Sequence, residues 1–512
     1  RDSVASRGLG DVYKRQVLGP PGTGKTRRLL NEVDGYLKRG VPLNKIGYFA
    51  FTRKAANEAR ERFLHLNKNF NKSDVKFFQT LHSLAFHTLG MSEDNVMQPI
   101  HYEQIGKELS IRVNYYSESD ESGYLNCDNE YFKLIGKARV KCISIEDEFN
   151  TNEWSRDIDL DTLHHININL NNYKKVYNLD DYTDMIEKFV LNSDKCPLFE
   201  VIFIDEAQDL SPIQWRMFDV LKSRSKDIFL AGDDDQAIFA WAGADVNRFI
   251  DEPAEEEVLQ QSERIPLAVQ ELSNTILNRI QGKRKEKVYY AKKDKDGNVV
   301  QGKVDTIFDI DSLDLTTDKW LILTRTTYRS DEISELLREK KLYFKNRYGK
   351  SIDSRLYKSV LKWTDLTLGK EISIADCKDI YEYLDDTFNE KKFENKNSIK
   401  MEDLGFNPGI TWFDAFTNLD QEKELYIRTM LTNGEKLSEE PRIEVSTIHA
   451  AKGGECKNVI LVLDNARKIR QSIEASVEKQ DEEHRVWYVG STRSMENLYI
   501  LKSKKDWKGY QL

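Results

Sequence analysis

The chain has 512 residues, 32% of them charged, with a formal net charge of −9. That length allows several domains with substantial cores, and the acidic balance argues against indiscriminate nucleic-acid binding while leaving room for a local basic groove. No apolar run reaches the roughly 18 residues that cross a bilayer, no secretory signal is evident, and the five cysteines lack metal-ligand spacing, which suits a reducing cytoplasm.

The opening RDSVASRGLGDVYKRQ, residues 1–16, has no clear period and begins at Arg1 rather than Met. It is set apart as a doubtful leader, truncated or spurious, beside the alternative of an ordinary flexible terminus. A strand reading VLG follows, then GPPGTGKT, Gly19 to Thr26, then a helical pattern. Strand, glycine-rich loop and helix are the context a phosphate loop needs. Gly19, Gly22 and Gly24 let backbone N–H groups approach phosphates. Lys25 is placed to reach the β- and γ-phosphates of a nucleoside triphosphate, and the Thr26 hydroxyl to bind Mg²⁺.

Short apolar runs then alternate with helical stretches: IGYFAF (46–51), VIFID (201–205), DIFLAG (227–232), WLILT (320–324), VILVL (459–463) and LYIL (498–501). Continuous apolarity over a few residues suits strands buried on both faces of a parallel sheet, and the helical stretches between them give an α/β pattern. Residues 91–170, polar and poor in such runs, and residues 350–440, charged and helical in period, read as insertions. VIFIDEAQD ends a buried strand on Asp205 and Glu206. Adjacent carboxylates there are costly unless used. Asp205 is a Mg²⁺ ligand candidate and Glu206 a proton acceptor for the attacking water, against the alternative of a solvated strand end. In AGDDDQAIFAWAGA (231–244), Gln236 is a candidate for sensing the γ-phosphate or orienting water, and the three aspartates alone could be a loop cap. Phe239 and Trp241 are core anchors or stacking platforms; composition alone favours the core. EPAEEEVLQQSE (252–263) reads as a linker or an exposed helix start.

Together these segments resemble the UvrD/Rep family of superfamily 1 DNA helicases. FTRKAANEA (51–59), TLHSLAF (80–86), QSERIPLAV (261–269), VSTIHAAKGGECKNVIL (445–461) and EEHRVWYVGSTRSMENLYIL (482–501) follow in the family's order. The resemblance implies two recA-like α/β domains, each with a mainly helical insertion, and ATP in the cleft between them. The expected boundaries are 17–90 with 171–252 for the first domain, 91–170 for its insertion, 253–349 with 441–512 for the second, and 350–440 for the second, small insertion. By the same carry-over, the first domain supplies Lys25, Thr26, Asp205, Glu206 and Gln236. The second supplies Arg264 and Arg493, arginines that stabilise charge on the transferring phosphoryl group, while Arg485 matches the sixth motif's other arginine. Glu455 is expected at the ribose. Single-stranded DNA is expected to contact Phe51, Thr80, His82, Phe239, Trp241 and His449, which turns the reading of Trp241 toward stacking.

TIHAAKGGE is similar to the 3′-to-5′ branch, since the opposite branch more often has Gln where this chain has Lys452. Four departures stand out. Glu263 occupies the position of a Tyr that stacks on adenine. No adenine-reading glutamine precedes the phosphate loop at the right distance, Gln16 lying too near the strand. Ala242 replaces an arginine, and Ser494 an alanine. No nuclease motif follows the sixth segment. The leading expectation is an ATP-dependent helicase, monomeric, with ATP and Mg²⁺ as cofactors. It acts on single-stranded and forked DNA alongside repair or replication proteins, off the membrane. Its expected place is the cytoplasm of a bacterial or phage-infected cell, at the nucleoid. The alternatives are a single-strand translocase that strips proteins, an ATP-gated DNA-binding switch with little turnover, and an RNA helicase.

Overall fold

The computed structural model describes residues 13–114, 127–151, 157–393, 396–503 and 509–512. It divides into two compact units. The first runs through Ile265 and takes in Asn274–Val300 and Ser476–Tyr488; the second comprises Pro266–Ser273, Gln301–Ala475 and Val489–Leu512. Arg264, expected from the second domain, therefore falls in the first unit.

The first unit is built on a six-stranded sheet: β1 (Tyr13–Leu18), β2 (Ile46–Ala50), β3 (Phe78–Thr80), β4 (Phe199–Asp205), β5 (Ser225–Gly232) and β6 (Glu255–Val258), in the order β3-β2-β4-β5-β1-β6. Every pairing is parallel. Its strands read as unbroken apolar runs because both faces are covered. Phe49, Ile202, Ile204, Ile228 and Leu230 enter one core, while their neighbours Tyr48, Val201, Phe203, Phe229 and Ala231 enter the other, as the period of two in a strand requires. Helix α1 (Lys25–Lys38) buries Leu29, Leu30, Val33 and Tyr36 on one stripe. Helices α2 (Arg53–Leu66) and α3 (Leu81–Thr88) start on Thr52 and Thr80, whose hydroxyls accept from the Ala55 and Ser83 amides.

Two expectations change here. The first strand begins at Tyr13, inside the stretch set apart as a leader, of which residues 1–12 lie outside the described residues. The acidic run at 252–263 is neither linker nor helix start, because Glu255–Val258 pairs with β1 as an edge strand. β1 is laddered to β5 from Tyr13 onward, and charge pairing accompanies both changes. Lys14 bonds Glu252 at 2.8 Å, Arg15 meets Glu255 at 3.2 Å, and Arg28 bonds Glu257 at 2.8 Å. Basic and acidic residues that look like solvated charge runs in isolation match each other across neighbouring elements.

The first insertion is helical, with Glu130–Lys141 and Leu160–Tyr177 among its helices and a core of its own around Phe132, Leu163, Ile166 and Leu170. Arg139 and Lys174 tie it to the helix Tyr182–Leu191 through Asp181, at 2.5 and 2.8 Å.

The second unit carries a seven-stranded sheet of β7 (Lys303–Ile307), β8 (Trp320–Thr324), β9 (Phe344–Asn346), β10 (Gly349–Lys350), β11 (Ile443–Thr447), β12 (Cys456–Val462) and β13 (Ser494–Leu501). The order is β10-β9-β11-β8-β12-β13-β7, parallel except for the β9–β10 hairpin. A helical cluster around the buried Trp363 fills the connection between β10 and β11. The fold is thus the expected mixed α/β arrangement of parallel sheets with helical insertions. No helix among the described residues is long and apolar enough to cross a membrane.

Candidate nucleotide site

The loop from Gly19 to Gly24 joins β1 to the N-terminus of α1. Gly22 and Gly24 have φ of 72° and 83°, in the left-handed region that favours glycine. Gly22 has a second constraint: a Cβ there would lie 2.3 Å from the Arg264 Cβ. The Lys25 ammonium folds over the loop, 3.1 Å from the Gly19 carbonyl oxygen and 3.6 Å from Glu206 Oε1. Backbone N–H groups at the start of α1 add positive potential at the same place.

β4 delivers the two carboxylates. Asp205 is 3% exposed and accepts hydrogen bonds from the Thr26 hydroxyl at 2.9 Å and the Tyr48 hydroxyl at 2.7 Å. Burial first, then the neighbouring Glu206 charge, hold its carboxyl above the usual range. Glu206 itself adopts φ 56°, a left-handed conformation costing about 1–3 kcal/mol for a residue with a side chain. This turn swings its carboxylate toward Lys25. Among the described residues no group of three His, Cys, Asp or Glu side chains forms a metal cage. The converging oxygens of Thr26 and Asp205 are instead the hard donors that suit Mg²⁺, which usually keeps several waters and phosphate oxygens.

The loop after β5 presses its acidic run inward. Asp233, Asp234 and Asp235 are at most 1% exposed. Lys287 meets Asp233 and Asp235 at 2.9 Å each and also contacts Asp234. Arg284 bonds Asp235 through Nε at 2.6 Å and Nη2 at 3.0 Å, and Arg485 donates to the Asp234 carbonyl at 3.0 Å. The aspartates are therefore a buried charge cluster rather than only a loop cap. Gln236 is anchored within it, its amide donating to Asp233 Oδ2 at 2.7 Å. Beside the phosphate loop, Ser262 donates to the Pro21 carbonyl at 2.8 Å and the Glu263 amide to the Gly22 carbonyl at 2.9 Å. Glu263 also forms a two-point pair with Arg27, at 2.8 and 2.5 Å. This sequence brings Lys25, Thr26, Asp205, Glu206, Gln236 and Arg264 into one unit. Tyr48, Gln208, Arg284 and Lys287 belong to the same constellation and were not anticipated. The opposed runs DDD and KRKEK were the legible sign of the last two.

In the second unit, Arg493 is 1% exposed. Its guanidinium donates to the carbonyl oxygens of Val489 at 2.9 Å and Gly454 at 3.3 Å, and to the Thr492 hydroxyl at 3.1 Å. It thereby fixes the loop that carries the exposed Glu455, while His449 is half-buried near the start of that loop.

The residues expected at DNA divide by exposure. Phe51 is buried and packs on Phe239 with ring centroids 5.4 Å apart, and Phe239 meets Trp241 at 6.4 Å. Trp241 is 43% exposed and is the member of this row with a broad open face. Thr80 caps α3, its hydroxyl accepting from the Ser83 amide at 3.3 Å. A groove of about 480 Å³ lies beside it, lined by Arg53, Arg60, Gln79, His82, His87 and Tyr182 among others. Burial, and then the Arg53 guanidinium, push the His82 imidazole down to about 4. His82 is thus neutral in the folded unit, whereas the unfolded chain takes up a proton near pH 6.5. The stability this residue supports is present above that value and lost as pH falls toward the folded value. Between pH 7 and pH 5 the loss is expected to be about 2 kcal/mol larger in the parent than in His82→Gln, measured by denaturant unfolding; equal losses would contradict the assignment.

Residues 12–255 match the family model described as the UvrD/REP helicase N-terminal domain. Among curated relatives, the ATP-dependent DNA helicase Rep of Buchnera aphidicola subsp. Baizongia pistaciae is 26% identical over 255 residues, 46% of this chain and 35% of the relative. The ATP-dependent DNA helicase PcrA of Leuconostoc citreum is 24% identical over 290 residues, 51% of this chain and 37% of the relative. A probable DNA helicase II homolog of Mycoplasma pneumoniae is 27% identical over 299 residues, 53% of this chain and 41% of the relative. The match thus spans well under half the length of each of these relatives.

Proposed function

We propose, from the premise that residues 12–255 form a UvrD/REP helicase N-terminal domain, that this chain is an ATP-dependent DNA helicase. It would move 3′ to 5′ on single-stranded DNA and open forked duplex, in the cytoplasm at the bacterial nucleoid, as a monomer serving repair or replication proteins. The observation that carries the reading is the convergence of Lys25 with Glu206 and of Thr26 with Asp205 at one phosphate loop. The names of Rep and PcrA, both ATP-dependent DNA helicases, support the substrate.

Lys25 would neutralise charge on the β- and γ-phosphates. Thr26 and Asp205 would hold Mg²⁺, which would supply positive charge to offset that of the phosphates. Glu206 accepts the proton of the attacking water, and Gln236 orients that water. Arg264 and Arg493 are assigned to the charge that develops on the transferring phosphoryl group, a contribution of ~10³–10⁵ in rate for such arginines. Glu455 is assigned to the ribose. Trp241 stacks on bases of the bound strand. Phe51 and Phe239 support it from behind, Thr80 and His82 lie on the strand's path over the first unit, and His449 touches it from the second. Trp241→Ala is expected to weaken single-strand binding by about 1–3 kcal/mol without sequence preference, read by fluorescence anisotropy; unchanged affinity would remove Trp241 from the path.

A second reading, an ATP-gated DNA-binding switch with little turnover, draws on Glu263, which pairs with Arg27 where the family stacks a tyrosine on adenine. Forked duplexes with a 3′ or a 5′ tail, run beside a protein-displacement assay, separate the readings. Unwinding from the 3′ tail supports the helicase, displacement without unwinding a stripping translocase, and neither with tight ATP-dependent DNA binding the switch.

A further inference from the structure

Gln208 is fully buried three residues past the end of β4, and its amide faces both halves of the hydrolytic constellation. Nε2 donates to Glu206 Oε2 at 2.6 Å and to Asp209 Oδ2 at 3.0 Å. Oε1 accepts from the Asp233 backbone amide at 3.0 Å. This orientation of the amide is the one that satisfies every partner. The two carboxylates need a donor and the Asp233 N–H needs an acceptor, so a flipped amide would lose all three bonds.

The fold makes room for it. A Cβ on Gly232 would sit 2.5 Å from Gln208 Oε1, and the Gly232 carbonyl accepts from the Gly19 amide at 3.0 Å. Past Asp233 the chain of contacts continues. The Asp233 carboxylate accepts from the Gln236 amide at 2.7 Å and pairs with Lys287 at 2.9 Å. Glu206, on the other side, stands 3.6 Å from Lys25. One side chain therefore bridges the carboxylate beside the phosphate loop and the loop that presents Gln236.

We propose that Gln208 is a positioning residue for hydrolysis, which aims the Glu206 carboxylate and holds the loop of Asp233–Gln236 in register with it. This rests on the reading of Glu206 and Gln236 as the groups that handle the attacking water. Outer partners that orient metal ligands typically carry 10–100-fold in activity, and a partner that aims a general base acts on its target in the same way.

Two variants separate the arms of the bridge. Gln208→Glu is nearly isosteric, keeps an acceptor for the Asp233 amide and sets a carboxylate against Glu206. Gln208→Met removes both arms. We would measure kcat and KM for ATP at saturating single-stranded DNA, and the hydrogen exchange of the Asp233 amide, in the intact chain. Both variants are expected to lose about 10–100-fold in kcat with little change in KM. Asp233 keeps its protection in Gln208→Glu and loses about tenfold in Gln208→Met. A loss shared between kcat and KM, parent kcat in either folded variant, or parent protection in Gln208→Met would overturn the proposal. If one variant fails to fold, the other decides. A parent chain that hydrolyses no ATP would count against the helicase reading instead, and the exchange comparison would still decide the bridge.

Discussion

Glu206→Gln is expected to bind ATP and single-stranded DNA as the parent does, while hydrolysis slows by about 10²–10⁴-fold, the usual contribution of a positioned general base. The substitution keeps size and shape. It keeps an acceptor oxygen for the Gln208 amide, which donates to Glu206 at 2.6 Å, and it leaves the backbone turn at φ 56° in place. What it removes is the capacity to take a proton. The contact of Glu206 with Lys25 is long, at 3.6 Å, and Lys25 keeps its bond to the Gly19 carbonyl at 3.1 Å, so the phosphate-binding end of the loop stays formed. Filter binding with labelled ATP, beside phosphate release, reads the two quantities separately. A variant that turns over at the parent rate would move the base to another residue.

Lys287→Met is expected to destabilise the first unit by about 3–5 kcal/mol, the cost of removing one partner from a buried ion network. Asp233, Asp234 and Asp235 are buried together, and Arg284 reaches only the last of them by a hydrogen bond. Methionine preserves the volume and leaves those charges facing one another. Burial, opposed by the three aspartates, leaves the Lys287 ammonium raised above the ordinary lysine value. Its contribution is therefore complete below the unfolded value of about 10.4 and disappears only as pH climbs through the higher folded one. The parent should show no dependence on this lysine between pH 6 and pH 9. The variant should recover part of its loss on acidification, because burial also raises Asp234 and makes it the carboxyl readiest to take a proton. Adding Asp234→Asn should recover part of the loss at neutral pH. The check is the denaturant midpoint of the first unit's transition for the two single variants and the double one; strict additivity would deny the cluster.

The sequence made the strand cores and the phosphate loop legible for a simple reason. Strands covered on both faces leave runs such as VIFID with no polar partner to alternate with, and Gly22 and Gly24 mark backbone that other residues cannot follow. It hid what depends on pairing across the fold. Tyr13–Gln16 looks polar and aperiodic alone, and is strand because it pairs along its length with β5, with Glu255 and Glu257 on the other edge meeting Tyr13 and Arg15. Tyr48 reads as one more apolar strand residue, yet its hydroxyl is a partner of Asp205. Arg264 was expected on the second domain; Ser262 and Glu263 bind the backbone of Pro21 and Gly22, and the segment through Ile265 groups with the first unit. Local pattern cannot report a contact made by residues some 240 positions apart.

The most direct test of the account is the rate of phosphate release from ATP by the intact chain, with and without single-stranded DNA. Slow hydrolysis is expected to rise sharply when the strand is added and to fall by about 10²–10⁴-fold in Glu206→Gln in both conditions. Hydrolysis that ignores the strand, or that keeps the parent rate after the loss of this carboxylate, would contradict this mechanism.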